Sequence, residues 1–235
     1  MPVMNELKSR HEFKYRCTEA QLFVLKNRID HCLSLDSHAN SDGYTIRSMY
    51  FDNYTNRCYY ENENGTDLRE KFRIRIYNAD PSRITLECKR KEHTKTIKTS
   101  CRLSMEQYEK ILNRTCPFSG NEEDAVLNKF LYLQKTQGMN PAVIVEYDRI
   151  PYICSAGNVR ITLDRNIRSS RSFSNFFDPV IPSRPLMPAA QHLLEVKYDE
   201  LLPDYIKDLL QLDSLQQTTF SKYYLCRKYS FGGLL

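Results

Sequence analysis

The chain has no tryptophan, no CxxC pair, and no apolar run near the ~18–20 residues a helix needs to cross a bilayer. Its eight cysteines, at positions 17, 32, 58, 88, 101, 116, 154 and 226, are too scattered for a structural zinc site or thioredoxin-type chemistry. Several, including Cys32 and Cys88, occupy apolar slots and are expected to pack as small core residues. The polar N-terminus has no signal-peptide pattern, so free thiols in a reducing cytoplasm are expected. The five histidines lack a metal-ligand spacing and are assigned no chemistry. No repeat, low-complexity tract or domain boundary interrupts residues 1–235, which read as a single domain.

Sixteen tyrosines and eleven phenylalanines fit a strand-rich chain, since aromatic side chains favour pleated surfaces. A hydrophobic content of 41% supports a core, and the charged fraction of 27% is ordinary. The net charge of +5 favours an anionic partner without choosing among nucleic acid, a phosphate ligand and an anionic membrane.

Alternation with period two marks strands at 10–15, 44–52, 70–77, 84–91, 94–103, 142–152, 158–165 and 192–198. Two capping boxes, Thr18 with Gln21 and Ser104 with Gln107, start helices expected to end near Leu33 and Thr115. Another helix is expected from the acidic start at Glu122 to Gln137, one opened by Pro203 ends near Leu212, and 219–228 closes the chain as a helix. Residues 57–61 read as a short strand or helical turn, 78–82 as a hairpin loop, and the Ser/Pro/Phe-rich stretch 169–188 as a surface loop or lid.

The charged residues at alternate strand positions carry the functional argument. They are Arg10, Glu12 and Lys14; Arg47; Arg73 and Arg75; Glu87, Lys89 and Lys91; Lys98; Arg149; Arg160; and Glu195 and Lys197. In any one strand this pattern describes a solvated face above a packed one. Its recurrence in nearly every strand admits a second geometry, a sheet closed into a barrel with the basic face inside and helices over the apolar outside. Like charges confined in such a lumen repel by roughly several kcal/mol unless an anion neutralises them. Arg forks match phosphate oxygens and Lys adds mobile point charge. Carboxylates among those cations repel phosphate directly, and holding a bridging divalent cation is their natural use. The alternative for Glu195 is a salt bridge to a neighbouring strand, and for Lys222 a place on the surface. Tyr15, Tyr50, Tyr147 and Tyr198 read as packing residues.

Taken in order, Glu12-Phe-Lys-Tyr15, Ser48-Met-Tyr-Phe-Asp-Asn53, Arg73-Ile-Arg75, Leu86-Glu-Cys-Lys89, Glu146-Tyr-Asp-Arg149, Val159-Arg-Ile-Thr-Leu-Asp164, Leu194-Glu-Val-Lys-Tyr198 and Phe220-Ser-Lys-Tyr223 span nearly the whole chain. The ordered set resembles the VTC domain, the polyphosphate polymerase domain of the vacuolar transporter chaperone complex, and its bacterial relatives. That family lies among the triphosphate tunnel metalloenzymes, with the CYTH phosphatases and some RNA triphosphatases. The resemblance implies an α+β fold, an antiparallel β-barrel forming a triphosphate tunnel with helices packed around the outside. It implies basic tunnel residues at Lys14, Arg73, Arg75, Lys89, Lys98, Arg149, Arg160, Lys197 and Lys222, with Arg73, Arg75, Lys89, Arg149 and Arg160 acting on the transferred phosphate. Glu195 is the implied principal ligand of Mn²⁺ or Mg²⁺, and Glu12 and Glu87 are further candidates. Arg10 stands where CYTH enzymes carry the first Glu of their ExExK signature, a departure toward the VTC type. No SPX sensor or membrane span is expected within the 235 residues.

The expected activity is metal-dependent transfer of the γ-phosphoryl group of ATP onto a polyphosphate chain. The alternatives are hydrolysis of tripolyphosphate or a nucleoside triphosphate in the same tunnel, and a non-catalytic polyphosphate-binding module. ATP and polyphosphate are the expected partners. Nucleic acid is disfavoured because aromatic and basic residues are not interleaved on one open face. A membrane-protein partner is compatible with the sequence, and the oligomeric state is left open.

Overall fold

A computed structural model describes residues 11–92, 95–121 and 124–230. Arg10 and Glu122, both part of the expectations above, lie outside the described residues. The strands are β1 (His11–Thr18), β2 (Ser34–Leu35), β3 (Tyr44–Asp52), β4 (Arg69–Tyr77), β5 (Asp80–Glu92), β6 (Lys95–Leu103), β7 (Asn140–Cys154), β8 (Val159–Ser170), β9 (Arg184–Pro185), β10 (Gln191–Tyr198) and β11 (Gln216–Gln217). The helices are α1 (Glu19–Cys32), α2 (Arg57–Glu63), α3 (Met105–Leu112), α4 (Ala125–Gln137), α5 (Asp204–Leu210) and α6 (Lys222–Ser230).

Both capping boxes form as the sequence predicts. The Thr18 and Ser104 hydroxyls accept from the backbone N–H of Gln21 and Gln107, whose side chains accept in return from the cap N–H groups. Residues 57–61 resolve as helix, because Asp52 accepts from the N–H groups of Cys58 and Tyr59 at the start of α2. The β4–β5 turn is tighter than the 78–82 loop predicted. Asn78 and Ala79 both take positive φ and bring Tyr77 opposite Asp80, the geometry of a two-residue hairpin.

All the ladders are antiparallel, in the order β11-β1-β10-β8-β7-β3-β4-β5-β6, with β2 on β7 and β9 on β8. The sheet curls so far that Lys89 of β5 ion-pairs with Glu12 of β1, six places along that order. The result is the expected tunnel. Among the described residues no ladder joins β6 to β1, and side chains such as the Lys89–Glu12 pair reach across that gap.

The outer face is apolar and carries two helical layers. Met49, Phe51, Phe72, Ile74, Ile76, Leu86 and Cys88 pack with Tyr108 and Ile111 of α3 and Leu127, Phe130 and Leu131 of α4. Tyr15, Cys17, Ile150, Tyr152, Ile161, Leu163, Leu194 and Val196 pack with Leu22, Leu25 and Ile29 of α1 and Ile206 and Leu210 of α5. Cys88 is buried as expected, whereas Cys32 is exposed at the end of α1, and all eight cysteines are free thiols.

Arg47, expected in the lumen from its place in the alternation, is not there. It shares its face with Met49 and Phe51, so it sits under the outer layer and not in the lumen. Arg47 is 2% exposed. It pairs with Glu146 through Nε and donates from Nη1 to the carbonyls of Phe176 and Asp178, both at 2.7 Å. That contact pins the 169–188 stretch, which buries Phe176, Ile181 and Leu186 and is therefore more packed than a surface loop.

Candidate functional site

Lumen-facing side chains follow from register. Arg73 and Arg75 stand opposite Tyr50 and Ser48 of β3 on one side, and opposite Glu87 and Thr85 of β5 on the other. Glu87 is buried and gathers the first cation cluster. Arg73 donates to it from Nε at 2.7 Å, Lys98 lies at 2.6 Å, and Arg75 at 3.9 Å. Burial pushes the Glu87 carboxyl upward, but Arg73, Arg75 and Lys98 outweigh it and hold the group far below the ordinary carboxylate range. Arg73 also donates to the Tyr50 hydroxyl at 2.7 Å, and Arg75 to Ser48 Oγ at 3.1 Å.

The second cluster forms where β7, β8, β10 and the start of α6 meet. Arg149 grips Asp164 with both prongs of its fork, at 2.6 and 2.7 Å, and Lys222 approaches the same carboxylate at 2.6 Å. Glu195 pairs with Lys197 and lies 3.9 Å from both Arg149 and Lys222. Burial would raise the Glu195 carboxyl. Lys197, Lys14, Lys222 and Arg149 instead hold it well below its usual value. Asp164 is likewise lowered against burial, by Arg149 and Lys222. Lys222 reaches the lumen because Ser221 Oγ accepts from the Tyr224 N–H to start α6, and because Tyr223 and Cys226 are buried against the tunnel wall. It is therefore a lumen residue and not a surface lysine.

Glu12 joins the clusters. Lys14, Lys89 and Lys197 lie at 2.8, 3.5 and 3.7 Å from its carboxylate. Burial and the nearby Glu195 push its pKa upward, yet Lys197, Lys14 and Lys89 bring it down to about 2. Arg160 stands apart from this network, half-exposed and paired with Asp36 at 2.8 Å.

The lumen holds groups that the sequence reading did not assign. Lys71 shares the parity of Arg73 and Arg75, yet no carboxylate ion-pairs with it among the described residues. Its ammonium meets the Asn62 amide oxygen and the face of Tyr223. Burial, then Arg69, Lys89 and Lys14, lowers its pKa to about 7. Parity alone could have found it. Asp164 lay inside a quoted motif without a role. Tyr50 and Tyr147, read as packing residues, line the lumen. The Tyr147 ring carries Arg149 and Lys222 on its face. Burial raises its phenol pKa, but Arg149, Arg75 and Lys222 outweigh that and bring it below the ordinary value.

The proposed metal carboxylates are not gathered together. Glu87 is enclosed by Arg73 and Lys98, and among the described residues no group of three or more acidic, His or Cys side chains is placed to hold an ion. Glu12 and Glu195 are diagonal neighbours on adjacent strands, since Glu12 stands opposite Lys197. Two carboxylates suit Mg²⁺ or Mn²⁺ when phosphate oxygens and water complete the octahedron, and that is the one metal arrangement the donor set fits.

A curled antiparallel sheet with α1, α3, α4 and α5 outside, α6 entering the lumen and buried cations within defines a triphosphate-tunnel architecture. The model of the VTC domain family matches residues 9–231, and the chain belongs to that family. No curated protein matches. Among solved structures, an adenylate cyclase candidate from Bacillus halodurans is 15% identical, with 92% of this chain and 94% of that one covered and a TM-score of 0.52. An adenylyl cyclase candidate from Hippeastrum, described as having a dominant triphosphatase activity, is 12% identical over 96% and 98% of the two chains, also at 0.52. The PH1819 protein of Pyrococcus horikoshii OT3 is 11% identical over 94% and 99%, at 0.50. At these identities the likeness is one of fold.

Proposed function

We propose that the chain is a phosphotransferase that extends polyphosphate with the γ-phosphoryl group of ATP inside the tunnel. The observation that carries this reading is the buried lumen network, in which Arg73, Arg75, Lys89, Arg149, Lys197 and Lys222 converge on a lumen with too few carboxylates to neutralise them. Phosphoryl transfer needs positioning and charge stabilisation more than covalent help. Arg73 and Arg75 are already oriented by Glu87, Tyr50 and Ser48, so their forks need little reordering to bind phosphate oxygens. Lys71 on the same strand, Lys89 beside it on β5 and Lys14 across the lumen on β1 neutralise more of the chain. Arg149 and Lys222 offer a second clamp, braced by Asp164. Glu12 and Glu195 would hold Mg²⁺ or Mn²⁺, which when bound supplies charge neutralisation between phosphates. The terminal phosphate of the acceptor is ionised at neutral pH, so no general base is required, in keeping with a lumen network that holds no histidine among the described residues.

Water in place of the acceptor chain turns the same tunnel into a triphosphatase, and the family match supports that reading nearly as well. Incubation of the purified protein with ATP and Mn²⁺, followed by separation of products, tests both. Long chains with ADP support the polymerase, free phosphate supports the hydrolase, and binding without turnover supports a non-catalytic module.

A further inference from the structure

Thr162 stands on β8 between Arg160 and Asp164 on the lumen side, and Ile161 and Leu163 on either side of it point into the outer core. Its cross-strand partners are Glu195 of β10 and Pro151 of β7. The residue is 2% exposed, and its hydroxyl has no hydrogen-bond partner among the described residues. Buried hydroxyls are nearly always paired, because leaving one unmade forfeits its hydration without return. The neighbouring carboxylates do not meet that need, since Asp164 is taken by Arg149 and Lys222 and Glu195 by Lys197. The orphan hydroxyl thus lies beside a cluster in which three cations, Arg149, Lys197 and Lys222, share two carboxylates, Asp164 and Glu195.

We propose that Thr162 is a phosphate-binding residue, its hydroxyl donating to a non-bridging oxygen of the inorganic polyphosphate chain held by Arg149 and Lys222. This rests on the tunnel reading above and deepens it. The chain then makes three kinds of contact in the second cluster: a fork from Arg149, a point charge from Lys222 and a short neutral donor from Thr162. The neutral donor fixes the rotation of one phosphate about the chain axis, which mobile ammonium groups do not.

Calorimetric titration of tripolyphosphate into wild type, Thr162→Val and Thr162→Ser, each with EDTA and with Mg²⁺, tests this. Valine keeps the shape and removes the hydroxyl, so about 10- to 100-fold weaker binding is expected in both conditions, the range for a hydrogen bond to a charged group. Serine should bind within about threefold of wild type, because it retains the donor. Without ligand, Thr162→Val should melt roughly 2–4 °C higher, since an unsatisfied group has been removed. A merely structural hydroxyl predicts the reverse, a lower Tm with unchanged affinity, and that result overturns the inference. Loss confined to Mg²⁺ places the contact on metal-bound water and overturns it too. Wild-type protein that takes up no tripolyphosphate overturns the tunnel reading itself, whereas wild-type binding with Thr162→Val unaffected overturns this inference alone.

Discussion

Lys71 is the cation with most to gain from an anion. In the folded protein its pKa lies near 7, below the ordinary 10.5, because burial and the charges of Arg69, Lys89 and Lys14 penalise the ammonium. A bound phosphate reverses that balance and draws a proton onto the amine. Tripolyphosphate affinity is therefore expected to fall as pH rises from about 7 to 9, with proton uptake visible in the buffer dependence of the binding enthalpy. Lys71→Met should flatten that slope. The sign for stability is opposite. Between about 7 and 10.5 the unfolded chain holds a proton that the folded Lys71 does not, so folding should gain stability with rising pH in wild type more than in Lys71→Met. Titration of the urea midpoint checks this.

Arg75→Ala leaves Glu87 still held by Arg73 and Lys98, so the fold should survive while phosphate turnover drops ~10²–10³-fold, the usual loss for one preorganised donor. Full activity in that variant on every phosphate substrate would refute the clamp. These residues were legible because Arg73 and Arg75 alternate with Phe72, Ile74 and Ile76. Lys71 shared their parity and could have been read the same way. Thr162 could not, because a short hydroxyl in a strand gives no sign of whether a partner awaits it.

Individual strands also limit what alternation can say. In β3 both faces are buried, one under the outer helices and the other by Tyr223 and Cys226 of α6 inside the tunnel, so Ile46 and Met49 are both core and Arg47 falls on the wrong side for a lumen residue. Arg47→Ala should consequently cost about 3–5 kcal/mol, as expected when a buried ion pair loses one partner. It should also loosen residues 171–188, and leave tripolyphosphate affinity intact in protein that remains folded. Denaturant titration with limited proteolysis separates it from Arg75→Ala, which should do the converse. Gly43 offers a second element-scale test. Its φ is +81°, and a Cβ there would meet the Arg149 carbonyl oxygen at 1.9 Å. Gly43→Ala should therefore cost about 2–4 kcal/mol from strain and overpacking together, and should weaken phosphate binding by displacing Arg149. Unchanged stability and affinity would show that the contact is slack.

At the scale of the molecule, helix boundaries and the positions of the main strands along the chain were readable from caps and alternation, and the curl of the sheet was expected from the recurrence of basic faces together with the family resemblance. Hidden from the sequence was the division of the lumen into charge clusters, since this depends on which carboxylate each cation meets across strands distant in the chain. Glu87 was expected as a metal candidate and is enclosed by cations, while Glu12 and Glu195 share cations and a diagonal. The carboxylates Glu12, Glu87, Asp164 and Glu195 all have lowered pKa values in the folded state, against burial. Their contribution to stability is whole above about pH 4.5, the ordinary value for Glu, and drains away as pH falls toward about 2, where Glu12 takes up its proton. Acid unfolding should be steep over that window, and tripolyphosphate at 100 times its Kd should raise stability at pH 7 by about 2.7 kcal/mol through linkage.

Lys14 donates to the carbonyl of Phe220, 206 positions along the chain, and β1 pairs along its whole length with β10. The first strand must therefore wait, without its main partner, until nearly all the remaining sequence has emerged and the opposite edge of the sheet exists. Loop closure over such a span makes folding slow, and the unpaired edges are open to misassociation meanwhile. Closing that seam gathers Lys14, Lys89, Lys197 and Lys222 around only Glu12 and Glu195, an excess of positive charge, so a polyanion present during refolding should act as a template and speed the final step. Stopped-flow refolding with and without tripolyphosphate would show that acceleration in the slow phase.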